Sequence, residues 1–418
     1  MKLLIAIPAL NEEQSIESII TRSLAAKASI IANSAVTDVE ITVVSDGSTD
    51  KTVEFARRFT GGENGINLIV FPKNRGYGAA IKEAWRRSDA ELLGFLDADG
   101  TCDPKFFSSL CQVVESGADV VLGCRMNKNS QMPLIRRTGN LIFATLLRLL
   151  SSTRVRDTAS GMRVVRREIL PELEPLPDGL HFTPAMSARA LLSGNVKIAE
   201  IDMPYKEREG ESKLNPGRDG LRFLRVILEA AFLYRPDRPL ALLGAACLAS
   251  ACALMAMPTA YYLGHGAVLE WMIYRFIVGH LAVLAGFVLL SASYLTGRMA
   301  EIALRAKPKS AISWLHRLMS HSFFWTVPFT LMFAGGLLVL PSFTSLIRTG
   351  ATYEHWSRFI AMSLLFSTAI VVVVTQACDY VLDLLQERLA YLESRRVATE
   401  AAPSTIGPDG DLALVSYR

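Results

Sequence analysis

Leu92-Leu93-Gly94-Phe95-Leu96-Asp97-Ala98-Asp99-Gly100-Thr101 is a short apolar run that ends in two carboxylates separated by one alanine. A run of this length and composition predicts a buried β-strand. Carboxylates placed where such a strand leaves the core either meet solvent or hold something positive. Residues two apart in extended backbone point the same way, so Asp97 and Asp99 fall on one side. With no basic residue beside them in sequence, they suit a hard divalent cation that prefers oxygen ligands, Mg2+ or Mn2+. A solvated Asp-Ala-Asp-Gly turn is the competing explanation, since Asp and Gly are common turn residues. An EF-hand is excluded, because the glycine is misplaced and the twelfth loop position is Ser108.

Around this run the first 125 residues alternate short apolar stretches with helical patterns. Strands are expected at 2–8, 40–45, 66–71, 91–97 and 119–124, with helices at 13–31, 50–60, 76–88 and 104–116. Such alternation predicts an α/β fold, a mostly parallel sheet with helices on both faces. Ligands of such sheets bind beyond the carboxyl ends of the strands. The segments there are Pro8-Ala9-Leu10-Asn11-Glu12, Ser45-Asp46-Gly47-Ser48-Thr49-Asp50, Lys73-Asn74-Arg75-Gly76-Tyr77-Gly78, Asp97-Ala98-Asp99 and Gly123-Cys124-Arg125. Four of the five carry polar groups where turns alone would not require them. The 74–81 stretch is a poor dinucleotide fingerprint, with Ile81 where a third glycine belongs. Gly76 and Gly78 still permit a phosphate or sugar to approach a helix start closely.

The 418 residues are half hydrophobic, too apolar for an ordinary soluble protein, and the net charge of +4 suggests no nucleic-acid partner. Six cysteines show no CxxC spacing, which points to buried free thiols in a reducing compartment. The N-terminal apolar run stops at Pro8 with no cleavage pattern, so it is a first strand rather than a signal peptide. Apolar runs at 239–262, 271–296, 322–347 and 357–382 are each long enough to cross about 30 Å of hydrocarbon. The 297–321 loop carries Arg298, Arg305, Lys307, Lys309 and Arg317, whereas 264–270 has no Lys or Arg. This asymmetry places the middle loop and both termini in the cytoplasm. Before the first run, Arg218, Arg222, Arg225 and Glu229 alternate with Leu221, Leu224, Ile227, Leu228 and Phe232 at helical spacing. That predicts an amphipathic helix at the bilayer surface. The expected organisation is a catalytic domain over 1–215, an interface helix over 216–237, a four-helix membrane domain over 238–388 and a disordered tail over 397–418.

The strand-end motifs together resemble a family 2 glycosyltransferase with the GT-A fold. Two later motifs, Asp157-Thr158-Ala159-Ser160-Gly161-Met162-Arg163 and Arg208-Glu209-Gly210-Glu211-Ser212-Lys213-Leu214, are similar to those of the polyprenyl-phosphate glycosyltransferases, the dolichol-phosphate mannosyltransferase type. The resemblance covers about 1–235 in order. It implies that Pro8, Leu10, Asn11, Glu12, Asp46, Gly76, Gly78 and Ala98 line the nucleotide-sugar pocket, with Asp46 near the base or ribose. Relatives often carry two adjacent acids there, and Ser45 replaces the first. Asp97 and Asp99 would bind the metal. Where some relatives add a glutamine ligand two residues on, Thr101 leaves that position to water. Arg208, Ser212 and Lys213 would close over the diphosphate, Arg208 and Lys213 as catalytic groups beside the two aspartates.

A lipid phosphate needs cationic, planar donors where the site meets the membrane. By motif these are Arg125, Arg137 and Arg163, with Ser160 as a neutral donor; for each arginine the competing role is a structural salt bridge. A phosphate with a second pKa of about 6 is already anionic, so no strong general base is required. The implied reaction is inverting transfer of one sugar from a nucleotide sugar, GDP-mannose or UDP-hexose in type, to a polyprenyl phosphate at the cytoplasmic face. The alternative is a membrane glycosyltransferase acting on a hydroxyl acceptor. A processive polysaccharide synthase is disfavoured because no QxxRW motif occurs. A homo-oligomer is compatible with the sequence.

Overall fold

The computed structural model describes residues 1–61, 65–151, 153–207, 216–304, 310–352 and 355–401. The chain divides into two units, Met1–Pro239 and Leu240–Arg418. Of the tail expected over 397–418, residues 402–418 lie outside the described residues.

Seven strands are described in the first unit: β1 (Lys2–Ala9), β2 (Asp38–Ser45), β3 (Asn67–Val70), β4 (Leu92–Leu96), β5 (Val120–Cys124), β6 (Met162–Arg166) and β7 (Ile198–Asp202). Its helices are α1 (Ile16–Ala32), α2 (Thr52–Arg57), α3 (Tyr77–Arg87), α4 (Phe107–Glu115), α5 (Leu134–Leu150), α6 (Leu170–Leu173), α7 (Phe182–Ser193) and α8 (Pro216–Tyr234). The strands form one sheet in the order β3-β2-β1-β4-β6-β5-β7. Only β6 runs against its neighbours; the other pairs are parallel. Six strands therefore end at one edge, as the α/β pattern predicts.

β6 and β7 were not expected from the sequence. Met-Arg-Val-Val-Arg has only two consecutive β-branched residues between charges, too little for a strand signal. Its register is nevertheless fixed on both sides, Phe95 and Leu122 both opposite Arg163.

Alternation along β1 builds two core layers. Leu3, Ile5 and Ile7 pack with Ile16, Ile19 and Ile20 of α1, while Leu4 and Ala6 pack with Ala80, Trp85 and Phe182 on the other face. With both faces covered, β1 and β4 read as continuous apolar runs. Each fully buried Leu, Ile or Phe contributes about 1.5–3 kcal/mol. The layer under β4 ends in an aromatic group that fixes Tyr77, whose ring lies 6.5 Å from Phe95 and 6.4 Å from Phe182.

The second unit comprises most of α9 (Asp237–His265), then α10 (Ile273–Ala303), α11 (Ser310–Met319), α12 (Thr326–Thr349) and α13 (Trp356–Ala401). Four spans, Asp237–His265, Glu270–Ala303, Phe323–Thr349 and Trp356–Arg395, are long and apolar enough to cross a membrane. They match the four runs expected from the sequence, the third starting one residue later than expected. Large apolar side chains such as Phe333 and Ile347 face outward, 69% and 70% exposed, the pattern of helices whose solvent is lipid.

Candidate active site

The parallel edge of the sheet opens into a cavity of about 500 Å³. Pro8 and Leu10 after β1, Asp46 after β2 and Asp97, Ala98 and Asp99 after β4 form one side. Met132, Ile135, Arg136, Gly139, Asn140 and Phe143, leading into and along α5, and Gly220, Arg222 and Phe223 of α8 contribute to the other. Strand register brings these ends level: Ala9 pairs with Ser45, and Ala6 with Phe95.

The two aspartates of the opening motif are each held by a neutral hydroxyl. Tyr77 Oη donates to Asp97 Oδ1 at 2.6 Å. Thr101 donates to Asp99 Oδ1 from its hydroxyl at 2.7 Å and from its backbone N–H at 3.2 Å. Burial, reinforced by the negative charge of Asp97, pushes the Tyr77 phenol well above its ordinary pKa, so it stays a donor. Asp97 lies hard against residue 161, where a Cβ would sit 1.9 Å from its Oδ2. Only glycine fits there, and the pairing of Leu96 with Met162 sets that contact. Two fixed carboxylates at a cavity wall, with oxygen donors only, fit a hard divalent cation. Thr101 is engaged in orienting Asp99.

Asp46 lines the cavity and accepts the backbone N–H groups of Arg75 and Gly76 at 2.6 and 3.0 Å. Burial raises its pKa even so. Gly76, with φ of 110°, packs against residue 178, where a Cβ would meet the carbonyl oxygen at 2.3 Å. Gly78 likewise makes room for Pro177 and Phe182 and does not line the cavity. Both glycines make room for the 177–179 loop, and Gly76, as expected, also lines the cavity. Glu12 is at the cavity. Asn11, at φ of 49°, turns outward and accepts from the Thr49 N–H at 2.8 Å. Arg208, Ser212 and Lys213 lie outside the described residues.

The residues expected at a lipid phosphate are placed differently from one another. Arg125 lines the cavity, but its guanidinium is engaged side-on by Asp157, with Nε–Oδ2 at 2.7 Å and Nη2–Oδ1 at 2.9 Å. Asp157, fully buried, also accepts from Asn140 Nδ2 at 3.1 Å, and Asn140 Oδ1 accepts from Thr158 N–H and hydroxyl at 3.0 and 2.8 Å. The Arg-Thr-Gly-Asn and Asp-Thr-Ala-Ser-Gly motifs are thus partners that tie α5 to the turn before β6. Arg163 and Ser160 are fully buried. Arg163 donates to the carbonyls of Ser160 and Thr158 at 3.0 and 2.9 Å, and burial lowers its pKa to about 10. Its place in a strand internal to the sheet explains this. Ser160 donates to Gly123 O at 2.6 Å. Arg137 is exposed, and its neighbour Arg136 lines the cavity instead; adjacent helical residues point about 100° apart. Tyr77, Arg136, Tyr205 and Arg222 also line the cavity without having been expected there.

The model of glycosyl transferase family 2 matches residues 4–174. The dolichyl-phosphate hexose transferase of Haloferax volcanii is 33% identical over 221 residues, 52% of this chain and 89% of that protein. The chain belongs to glycosyltransferase family 2: it is a glycosyltransferase whose first unit has the GT-A fold. The dodecaprenyl-phosphate galacturonate synthase of Rhizobium johnstonii is 26% identical over 316 residues, 73% of this chain and 88% of that one. That share exceeds the 239 residues of the first unit, so the likeness extends into the apolar helices. Among solved structures, glucosyl-3-phosphoglycerate synthase from Mycobacterium tuberculosis, in complex with Mn2+, UDP and glucosyl-3-phosphoglycerate, gives a TM-score of 0.43. It is 20% identical and covers 55% of this chain and 80% of its own.

Proposed function

We propose that the chain transfers one sugar, with inversion, from a nucleoside-diphosphate sugar to the phosphate of a polyprenyl phosphate at the cytoplasmic membrane face. Residues 1–215 act as the catalytic domain, 216–237 as the interface helix and 238–388 as the membrane domain. The observation that carries this reading is one cavity with Asp97 and Asp99 on one side and Arg136 and Arg222 among apolar residues of α5 and α8. The names of the Haloferax and Rhizobium relatives support the lipid acceptor. Asp97 and Asp99 would hold Mg2+ or Mn2+, which supplies charge neutralisation for the departing diphosphate. Pro8, Leu10 and Glu12 bound the nucleotide side. By their motif, Arg208, Ser212 and Lys213 would supply the donors for the diphosphate. The acceptor phosphate needs no strong base, so the work of the wall arginines is to orient it.

Incubating membranes containing the protein with a panel of radiolabelled sugar nucleotides, then extracting lipid, tests the reaction. The expected product is a labelled lipid cleaved by mild acid. Label appearing only in acid-stable glycolipid or polymer would instead mean a hydroxyl acceptor.

Two further outcomes are expected. Tyr77→Phe deletes only the hydroxyl on Asp97 and should weaken Mn2+ binding about tenfold, read by electron paramagnetic resonance without substrate; unchanged affinity would remove Tyr77 from this role. Arg136→Ala should raise KM for the lipid phosphate about tenfold, roughly one charge-assisted hydrogen bond, and leave KM for the donor nearly constant. Arg137→Ala should change it less. A larger effect at Arg137 would return the acceptor contact to that residue.

A further inference from the structure

Polar side chains also gather inside the second unit, on three of its helices. His316 of α11 and Asp379 and Asp383 of α13 bring one ring nitrogen and two carboxylate oxygens within 4.8 Å of one another. His316 Nδ1 lies 3.1 Å from Asp379 Oδ2, and its Nε2 lies 3.7 Å from Asp383 Oδ1. From α10, Arg298 donates to Asp383 Oδ1 at 2.6 Å, and Tyr294 Oη meets His316 Nδ1 at 3.2 Å. Gln376, Asp379 and Asp383 follow at i, i+3 and i+7, so α13 presents all three on one face.

Asp379 and Arg298 are 3% and 5% exposed. Among the described residues two carboxylates face one guanidinium, Asp379 buried and Asp383 a third exposed. The excess negative charge is thus only partly solvated, and a compensating positive charge is favourable. A proton on His316 would balance the charge. It would leave Asp379 Oδ1, buried and without a hydrogen-bond partner among the described residues, facing only Arg298 Nε at 3.9 Å. Nor would it account for Gln376, 4% exposed, whose carboxamide nitrogen and oxygen both lack partners there. Each such group left bare costs about 1–3 kcal/mol. A cation between the carboxylates supplies the missing charge and a ligand position for Oδ1, and its coordinated water offers the carboxamide a partner.

We infer that His316, Asp379 and Asp383 bind a divalent transition-metal ion of the Zn2+ class. One imidazole and two carboxylates with a fourth position for water combine nitrogen and oxygen donors that such ions accept, whereas the oxygen-only pair Asp97 and Asp99 suits harder ones. Arg298 and Tyr294 hold the ligands from behind. His316 and Asp383 side chains are 27% and 34% exposed, which gives the ion a way in. The bound ion would clamp α11, which otherwise rests on a small apolar cluster around Tyr294, Ile312 and Met319, onto α13.

The test uses full-length protein in detergent carrying Asp97→Asn and Asp99→Asn, which removes the first site from the count. After chelation and dialysis against Zn2+ or Co2+, one equivalent should remain bound, with Co2+ giving visible d–d absorption. Adding His316→Ala or Asp383→Asn should weaken this binding at least about 100-fold. His316→Ala alone, in the otherwise unaltered protein, should keep its transfer activity, which shows that the variant folds. Absence of stoichiometric metal, or binding that survives both ligand substitutions, would overturn the site. A thermal midpoint that responds to pH around neutrality but not to Zn2+ would assign the cluster to a proton instead.

Discussion

Asp99→Ala is expected to reduce sugar transfer about a thousandfold or more while the protein stays folded in the membrane. The residue stands just beyond β4, 6% exposed, with Thr101 fixing one oxygen. Its carboxylate takes no part in the sheet's hydrogen bonding, and its removal opens no void in either apolar layer. Its loss leaves the buried Thr101 hydroxyl and N–H without that acceptor, so stability should fall by about 1–3 kcal/mol, which a unit held by about 5–15 kcal/mol survives folded. Activity is another matter. Charge developing on a departing diphosphate needs several kcal/mol of electrostatic stabilisation from a bound cation, and about 4 kcal/mol is a factor of a thousand. In the proposed metal role, Asp97 alone would hold the cation by a single carboxylate. The measurement is label transferred to extracted lipid in proteoliposomes, alongside the thermal midpoint. Substantial turnover by this variant, or by the unaltered protein in excess EDTA, would defeat the metal reading.

The strands that shape this site differ in how plainly they show in the sequence, and the reason is physical. β1, β4 and β5 are buried on both faces and read as apolar runs. The second half of β2, Val43 and Val44, does the same after a first half that alternates with Asp38, Glu40 and Thr42; each run ends at the first polar residue. That marked Asp97, Asp99 and Asp46 directly. β6 hides because its second residue is an arginine, and burying that guanidinium takes carbonyls from Ser160 and Thr158 that only the folded turn supplies. The same fact makes Arg163 resemble a ligand-binding arginine when only its motif is seen. Arg136 and Arg137 cannot be told apart without knowing how α5 is rotated, which is set by Asn140 reaching Asp157. Tyr77 sits within a glycine motif that drew attention to the backbone. Its hydroxyl becomes meaningful only once the aromatic packing against Phe95 and Phe182 aims it at Asp97.

Asp157→Asn is expected to be the most destabilising single change in the first unit. Asp157 is fully buried and Arg125 has only 11% of its side chain exposed, so each charge depends on the other. Burial by itself would push the Asp157 carboxyl up; the charge and hydrogen bonds of Arg125 outweigh it and hold the group below its ordinary value. Removing the carboxylate strands the guanidinium, at a cost of about 3–5 kcal/mol, a large part of the roughly 5–15 kcal/mol that holds a domain folded. At about 2–4 °C per kcal/mol for a unit of this size, the thermal midpoint should fall about 10 °C or more. The acid response supplies an independent sign. Because the folded-state pKa of Asp157 is depressed, its stabilisation is complete above the unfolded carboxylate pKa of about 4. It is lost as pH falls through the folded value below that. The unaltered protein should thus lose stability in this acid window, and Asp157→Asn should lose less of it, having no carboxylate there to protonate. Replacing both partners by apolar residues, Arg125→Met with Asp157→Leu, should recover part of the midpoint. A single variant as stable as the unaltered protein would mean that solvent reaches the guanidinium, and Arg125 would then be available at the cavity wall for an acceptor phosphate.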